Sequence, residues 1–132
     1  MKWMIEFTTE MFNSTETKPH FINDRCFGED LIEWLIKHFD DPSFTLEKPF
    51  QEDWGWGTLA RIQSETFSIG VGIMDDSIGE VPARWLLTVE KMRRFIIFGS
   101  KRSAQLDRLA DEMEKIIINT EKITDVERYK ES

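Results

Sequence analysis

The chain opens on a two-residue alternation: Trp3, Ile5 and Phe7 interleave with Met4, Glu6 and Thr8. That is the period of a strand with one buried face. A polar stretch from Asn13 to Lys18, closed by Pro19, predicts a loop. The period then changes. Leu31, Ile32, Leu35, Ile36 and Phe39 recur at helical spacing, while Glu29, Asp30, Glu33 and Lys37 take the other side, so a helix is predicted from about Gly28 to Phe39. Glu29 and Asp30 sit in its first turn, where the helix dipole favours negative charge. Asp40-Asp41-Pro42 ends it, because a residue before proline avoids the helical region.

Phe44 to Glu47 reads as a short strand. A hairpin follows. Trp56, Thr58, Ala60 and Ile62 alternate with Gly57, Leu59, Arg61 and Gln63; beyond Ser64-Glu65, Phe67, Ile69, Val71 and Ile73 alternate with Ser68, Gly70 and Gly72. A tight turn at Ser64-Glu65 sets Gln63 opposite Thr66 and Trp56 opposite Ile73, and places both apolar sets on one face. A longer turn with the same symmetric register serves equally, since Ser-Glu is not a favoured two-residue turn. Asp75 to Pro82 is a loop, and a third strand runs from Ala83 to about Lys91 with Trp85, Leu87 and Val89 inward. Phe95 to Phe98 is apolar but short, suited either to a further strand or to a lead-in to the last helix.

That helix spans about Lys101 to Asn119, with Leu106, Leu109, Ala110, Met113, Ile116 and Ile117 as its stripe and Ser100 or Ser103 as its cap. The order β-α-β-β-β-β-α predicts an α+β fold, a two-layer sandwich in which a mostly antiparallel sheet of four to six strands carries both helices on one face. Residues 1–120 are expected to form one domain. Residues 121–132, poor in apolar side chains, are expected to be a mobile C-terminal tail.

Composition narrows the setting. With 132 residues, 40% hydrophobic and 32% charged, the chain suits a globular domain able to build a core without disulfides or metals. Its net charge of −8 repels phosphate backbones, which argues against general nucleic-acid binding and favours encounter with basic proteins. No run approaches the roughly 20 apolar residues of a membrane span. Glu6 interrupts the N-terminus before a signal-peptide core can form, so a cytoplasmic setting is expected.

Recognisable chemistry is scarce. No phosphate-binding loop, dinucleotide fingerprint, zinc-protease helix or nucleophile elbow occurs, and no catalytic residue or cofactor is expected. Cys26 is the only cysteine, and His20 and His38 are the only histidines, too few for a three-histidine zinc site. Cys26 and His38 are separated by the first helix, so they do not form a nucleophile–base pair. His38 follows Trp34 by four residues, a spacing that brings the rings together as packing.

The most unusual stretch is Pro49-Phe50-Gln51-Glu52-Asp53-Trp54-Gly55-Trp56-Gly57. Strand parity sends Trp56 to the core and leaves Trp54 free of it. Hairpin topology then brings Asp75, Asp76 and Glu80 to the same end as Glu52 and Asp53, an acidic rim beside Trp54. The opposite end collects Lys91, Arg93 and Arg94, with Lys101 and Arg102 as further candidates. The five acids lack the spacing of a calcium loop, and no metal site is expected. Ser68, Gly70 and Gly72 make a strip of small residues on the non-core face. Such a strip admits close approach by a partner, a ligand, a second subunit or an aromatic side chain of the same chain.

The leading expectation is a small acidic protein-binding or inhibitory domain that engages a basic partner through Glu52, Asp53, Trp54, Asp75, Asp76 and Glu80. In size and charge the chain is similar to small acidic bacterial immunity proteins, a likeness that rests on no motif. Two other readings stand beside it. One is a small-molecule-binding or hydrolytic domain with a pocket between sheet and helices; the other is a homodimer built on the glycine face.

Overall fold

The structure, a computed structural model, describes residues 1–92 and 104–131. Arg93, Arg94, Phe95 to Phe98, Lys101 and Arg102 lie outside the described residues. The elements are β1 (Lys2–Thr9), α1 (Glu29–His38), β2 (Thr45–Leu46), β3 (Phe50–Glu52), β4 (Gly55–Ile62), β5 (Glu65–Ile73), β6 (Ala83–Lys91), α2 (Ala104–Ile118) and β7 (Ile123–Glu131). The strands form a seven-stranded sheet in the order β2-β4-β5-β6-β1-β7, with β3 also paired to β4. Every pairing is antiparallel. The α+β architecture is as expected, with more strands than the predicted four to six.

Alternation decides which face is covered. Ile5 and Phe7 of β1, Trp85, Leu87 and Val89 of β6, Phe67, Ile69, Val71 and Ile73 of β5, and Trp56, Ala60 and Ile62 of β4 are buried. They join Leu31, Ile32 and Leu35 of α1 and Leu106, Leu109, Met113 and Ile117 of α2 in one cluster. Both helices therefore share one side of the sheet, each burying a single stripe.

Two expectations are corrected. The β4–β5 turn is Gln63-Ser64 rather than Ser64-Glu65: Ile62 pairs with Glu65, and Trp56 lies opposite Val71 instead of Ile73. Gln63 takes the left-handed conformation, φ 52°, that a tight hairpin turn requires. The slip is two residues, so every side chain keeps its predicted face.

The second correction concerns residues 121–132. Ile123–Glu131 is β7, an edge strand paired with β1 along most of its length. Its inward face carries Ile123 and Val126 and then Arg128, too sparse an apolar repeat for hydrophobic alternation to reveal it. Arg128 Nη1 lies 2.8 Å from both Asp111 and Glu114 of α2, and its guanidinium stands 4.0 Å over the Trp3 ring. A long cationic side chain thus fills a place usually held by an aliphatic one.

Candidate functional site

The free edge of β4 carries two short strands in line. Thr45 and Leu46 of β2 pair with Arg61 and Ala60, and Phe50, Gln51 and Glu52 of β3 pair with Gly57, Trp56 and Gly55. Pro49 lies between them, at an edge where a missing N–H costs no ladder bond. Glu52 and Gly55 face each other, so Asp53 and Trp54 form the tip of the β3–β4 turn.

Each glycine of this segment marks a close approach. At Gly55, where φ is 157°, a methyl group would stand 2.1 Å from the Val71 carbonyl oxygen, an impossible contact for any other residue. At Gly57 it would stand 3.0 Å from the Ile69 carbonyl oxygen. Trp56, between them, enters the core and donates its indole N–H to the Cys26 carbonyl at 2.7 Å. Trp54 turns the other way. A methyl group at Gly70 would meet its ring at 2.3 Å, and one at Gly72 would meet its carbonyl oxygen at 2.7 Å. The small-residue strip therefore has an occupant from the same chain: Trp54 lies on the backbone of Gly70 and Gly72. Ser68, further along the strip, is half-buried.

Trp54 is nevertheless 50% exposed, because only one side of its ring is covered. Around it the loops of one end of the sheet converge. Asn23 donates its side-chain amide to the Asp53 carbonyl at 3.0 Å, and the Ile22 amide donates to the Gln51 side chain at 2.9 Å. Arg25 pairs with Asp75, the first residue of a 3-10 turn over Asp75–Ser77. Ser14 donates to the Glu80 carbonyl at 2.6 Å, and Gly79 donates back to the Ser14 carbonyl. Glu52, Asp53, Asp75, Asp76 and Glu80 thus stand at one end of the β4–β5 hairpin; all are exposed except Glu52, which is half-buried.

Sequence reasoning missed half of this end. Ile22, Ile78 and Val81 are exposed apolar side chains in the same loops, at 58%, 40% and 61%. Asp24 adds another exposed carboxylate, and Arg25 a cation. The loop bearing residues 22–25 is some thirty positions from Asp53, and only the fold brings the two together. At the other end of the hairpin, Lys91 is paired with Glu65 at 3.0 Å.

The chain matches no protein-family model, curated protein or solved structure.

The space between sheet and helices is filled by core side chains. A shallow depression of about 370 Å³ lies outside it, lined by Ile36, Phe39, Asp40, Asp41, Pro42, Phe44 and Leu46. Its buried carboxylate, Asp41, is already engaged: Arg108 donates to it twice, at 2.7 and 2.9 Å, and the Ser43 amide at 3.0 Å. Burial pushes its pKa up, but the Ser43 and Arg108 hydrogen bonds outweigh that and hold the carboxyl below its usual range. Cys26 is buried, its thiol directed to the Glu52 carbonyl at 3.3 Å. His38 donates to the Trp34 carbonyl at 2.9 Å and packs on the Trp34 ring. Among the described residues no three His, Cys, Asp or Glu side chains converge as a metal set, and no helix is long and apolar enough to cross a membrane.

Proposed function

We propose that the protein is a binding domain that engages a basic protein partner through the tryptophan-bearing end of its sheet. The observation that carries this reading is a mixture of two kinds of exposed side chain. Ile22, Trp54, Ile78 and Val81 are exposed there, set among Asp24, Asp53, Asp75, Asp76 and Glu80. Apolar anchors surrounded by charge of one sign are the makings of an interface with a partner of the opposite sign. Trp54 is the natural anchor, since tryptophan supplies large rigid contact area at little entropic cost. The carboxylates supply long-range attraction, reaching about 8 Å at physiological salt. Covering a basic surface in this way would also inhibit whatever that surface does.

Affinity capture with the tagged chain tests the reading. The expected result is a discrete basic protein retained by the parent, released by salt, and lost with Trp54→Ala at unchanged thermal stability. Equal retention by parent and Trp54→Ala would overturn the proposal, as would a captured partner that is acidic.

A further inference from the structure

The loop between β1 and α1 reaches the tryptophan-bearing end at residues 20–23, and neighbouring side chains there go opposite ways. Phe21 packs edge-on against Phe27 and Trp56, with ring centroids 5.9 and 6.2 Å apart. Ile22, the next residue, is 58% exposed. A branched apolar side chain left in water forgoes the gain of burial, and a slack loop could turn it inward. The loop at Ile22 is not slack.

Gln51 holds it. This residue stands on β3 opposite Trp56, and its carboxamide bonds the loop backbone on both sides of Phe21. The Ile22 N–H donates to its Oε1 at 2.9 Å, and its Nε2 donates to the His20 carbonyl at 2.9 Å. One donor and one acceptor of the loop are thus met by a side chain, as a neighbouring strand would meet them. The flanks are fixed as well. Asn23 donates its side-chain amide to the Asp53 carbonyl at 3.0 Å, and His20 Nε2 lies 2.7 Å from Glu29 Oε1 in the first turn of α1. Phe21 is anchored inward, and Ile22 is held between points tied to the β3–β4 segment. Gln51 itself is half-buried, with both ends of its carboxamide turned to the loop. What it offers a partner is the loop it holds.

We infer that Gln51 is a positioning residue of the proposed interface and acts through Ile22, which it holds outward as a preformed apolar contact for the basic partner. The inference rests on the reading of the tryptophan-bearing end as a binding surface and says how one of its contacts is kept in place. A contact fixed before encounter loses less freedom on binding than one that must be ordered. Only the ordered fraction of a loosened loop can dock, so releasing the loop slows association.

Hydrogen exchange in the free protein and binding kinetics with the purified basic protein that salt releases from the parent in affinity capture test it together. The Ile22 amide bonds to the Gln51 side chain, so its exchange reports on that clasp. Gln51→Ala should speed this exchange about tenfold, in keeping with one or two modest hydrogen bonds, and leave the amides of β4 and β5 unchanged. Gln51→Met, similar in shape but without either hydrogen-bonding group, should do the same and controls for lost packing. Ile22→Ala should weaken partner binding about fivefold, and either Gln51 variant about threefold through slower association. The double variant Ile22→Ala, Gln51→Ala should bind no worse than Ile22→Ala, because Gln51 then has nothing to act through. Losses that multiply to about fifteenfold would overturn the inference, since independent sites combine in that way. Parent-like partner binding by both Gln51 variants would overturn it too and leave the proposed function intact. So would an Ile22 amide whose exchange Gln51→Ala does not change. Retention of no basic protein by the parent, by contrast, would remove the proposed function itself, and this inference with it.

Discussion

Along β5, Phe67, Ile69, Val71 and Ile73 alternate with Thr66, Ser68, Gly70 and Gly72, and the two sets meet different surroundings. The first set is buried against two helices and makes one continuous core with them. The second faces an open surface where one exposed tryptophan lies on two glycines. On the covered face each position is chosen for apolar volume, so periodicity alone identifies it. On the open face side chains are absent where a ring must lie flat, aromatic where it is exposed, and acidic beside it. The strand is shared, but its two faces have different surroundings: one is packed into the core, and the other carries Trp54.

The sharpest way to break this comparison is to cut each face in turn. Ile69 is fully buried, so Ile69→Ala should cost about 2–5 kcal/mol of stability. Ser68→Ala, one residue away on the open face, should stay within about 0.5 kcal/mol, as surface changes do. Chemical denaturation measures both. Comparable losses at the two positions would mean that the open face is also structural.

Gly70→Ala gives a subtler result. The added methyl group would stand 2.3 Å from the Trp54 ring and 3.0 Å from the Thr88 hydroxyl, so the ring must leave its seat. A loss of about 1–3 kcal/mol is expected, the usual range for overpacking. A tryptophan emission shift to the red should accompany it, and that shift should vanish in the Trp54→Phe background. An unchanged emission spectrum would mean that the ring does not rest on the strip in solution.

Binding separates the anchor from the charges. With a partner in hand, Trp54→Ala should weaken binding by about 2 kcal/mol, chiefly through faster dissociation. Asp76→Asn should instead slow association and flatten its salt dependence. Asp76 is the better probe than Asp75, because removing the Asp75 charge also frees Arg25. Surface-binding kinetics distinguish the two. Identical kinetic signatures would reduce the end to an undifferentiated charged patch.

What could be read from the chain follows the same division. Strands β1, β4, β5 and β6 and the stripe of α1 were legible because their apolar residues repeat at the period of the element. A hairpin turn can slip by two residues without moving any side chain to the wrong face, so the β4–β5 register was the weaker inference. Edge strand β7 was not legible, since its inward face holds only Ile123 and Val126 beside Arg128, which packs on Trp3 as a cation. Of the candidate site, hairpin topology brought Glu52 and Asp53 to the end shared by Asp75 and Asp76. The strip at Gly70 and Gly72 was visible as a place for close approach, but its occupant was one of four choices. Ile22 gave no signal, because its relation to Trp54 runs through tertiary contacts of long sequence separation.

The smallest effect concerns Tyr129 on the edge strand β7, and it can be read without a partner. Tyr129 is the only tyrosine of the chain, so tyrosinate absorbance reports on it alone. Its hydroxyl donates to Glu6 at 2.5 Å, and ionising it would set a phenolate against that carboxylate. This hydrogen bond, with lesser contributions from burial and from the charges of Glu6, Glu127 and Glu131, pushes its pKa up to about 12 from the ordinary 10.0. The folded state thus holds the proton more tightly than the unfolded chain does. The stability this contact contributes is fully present below about pH 10 and is lost as pH rises toward 12. Because the ring is 39% exposed, solvent screening keeps that contribution small. An absorbance titration of the folded protein should have its midpoint near 12, and Glu6→Gln should bring it back toward 10. A midpoint already at 10 in the parent would mean that Tyr129 does not stand against Glu6.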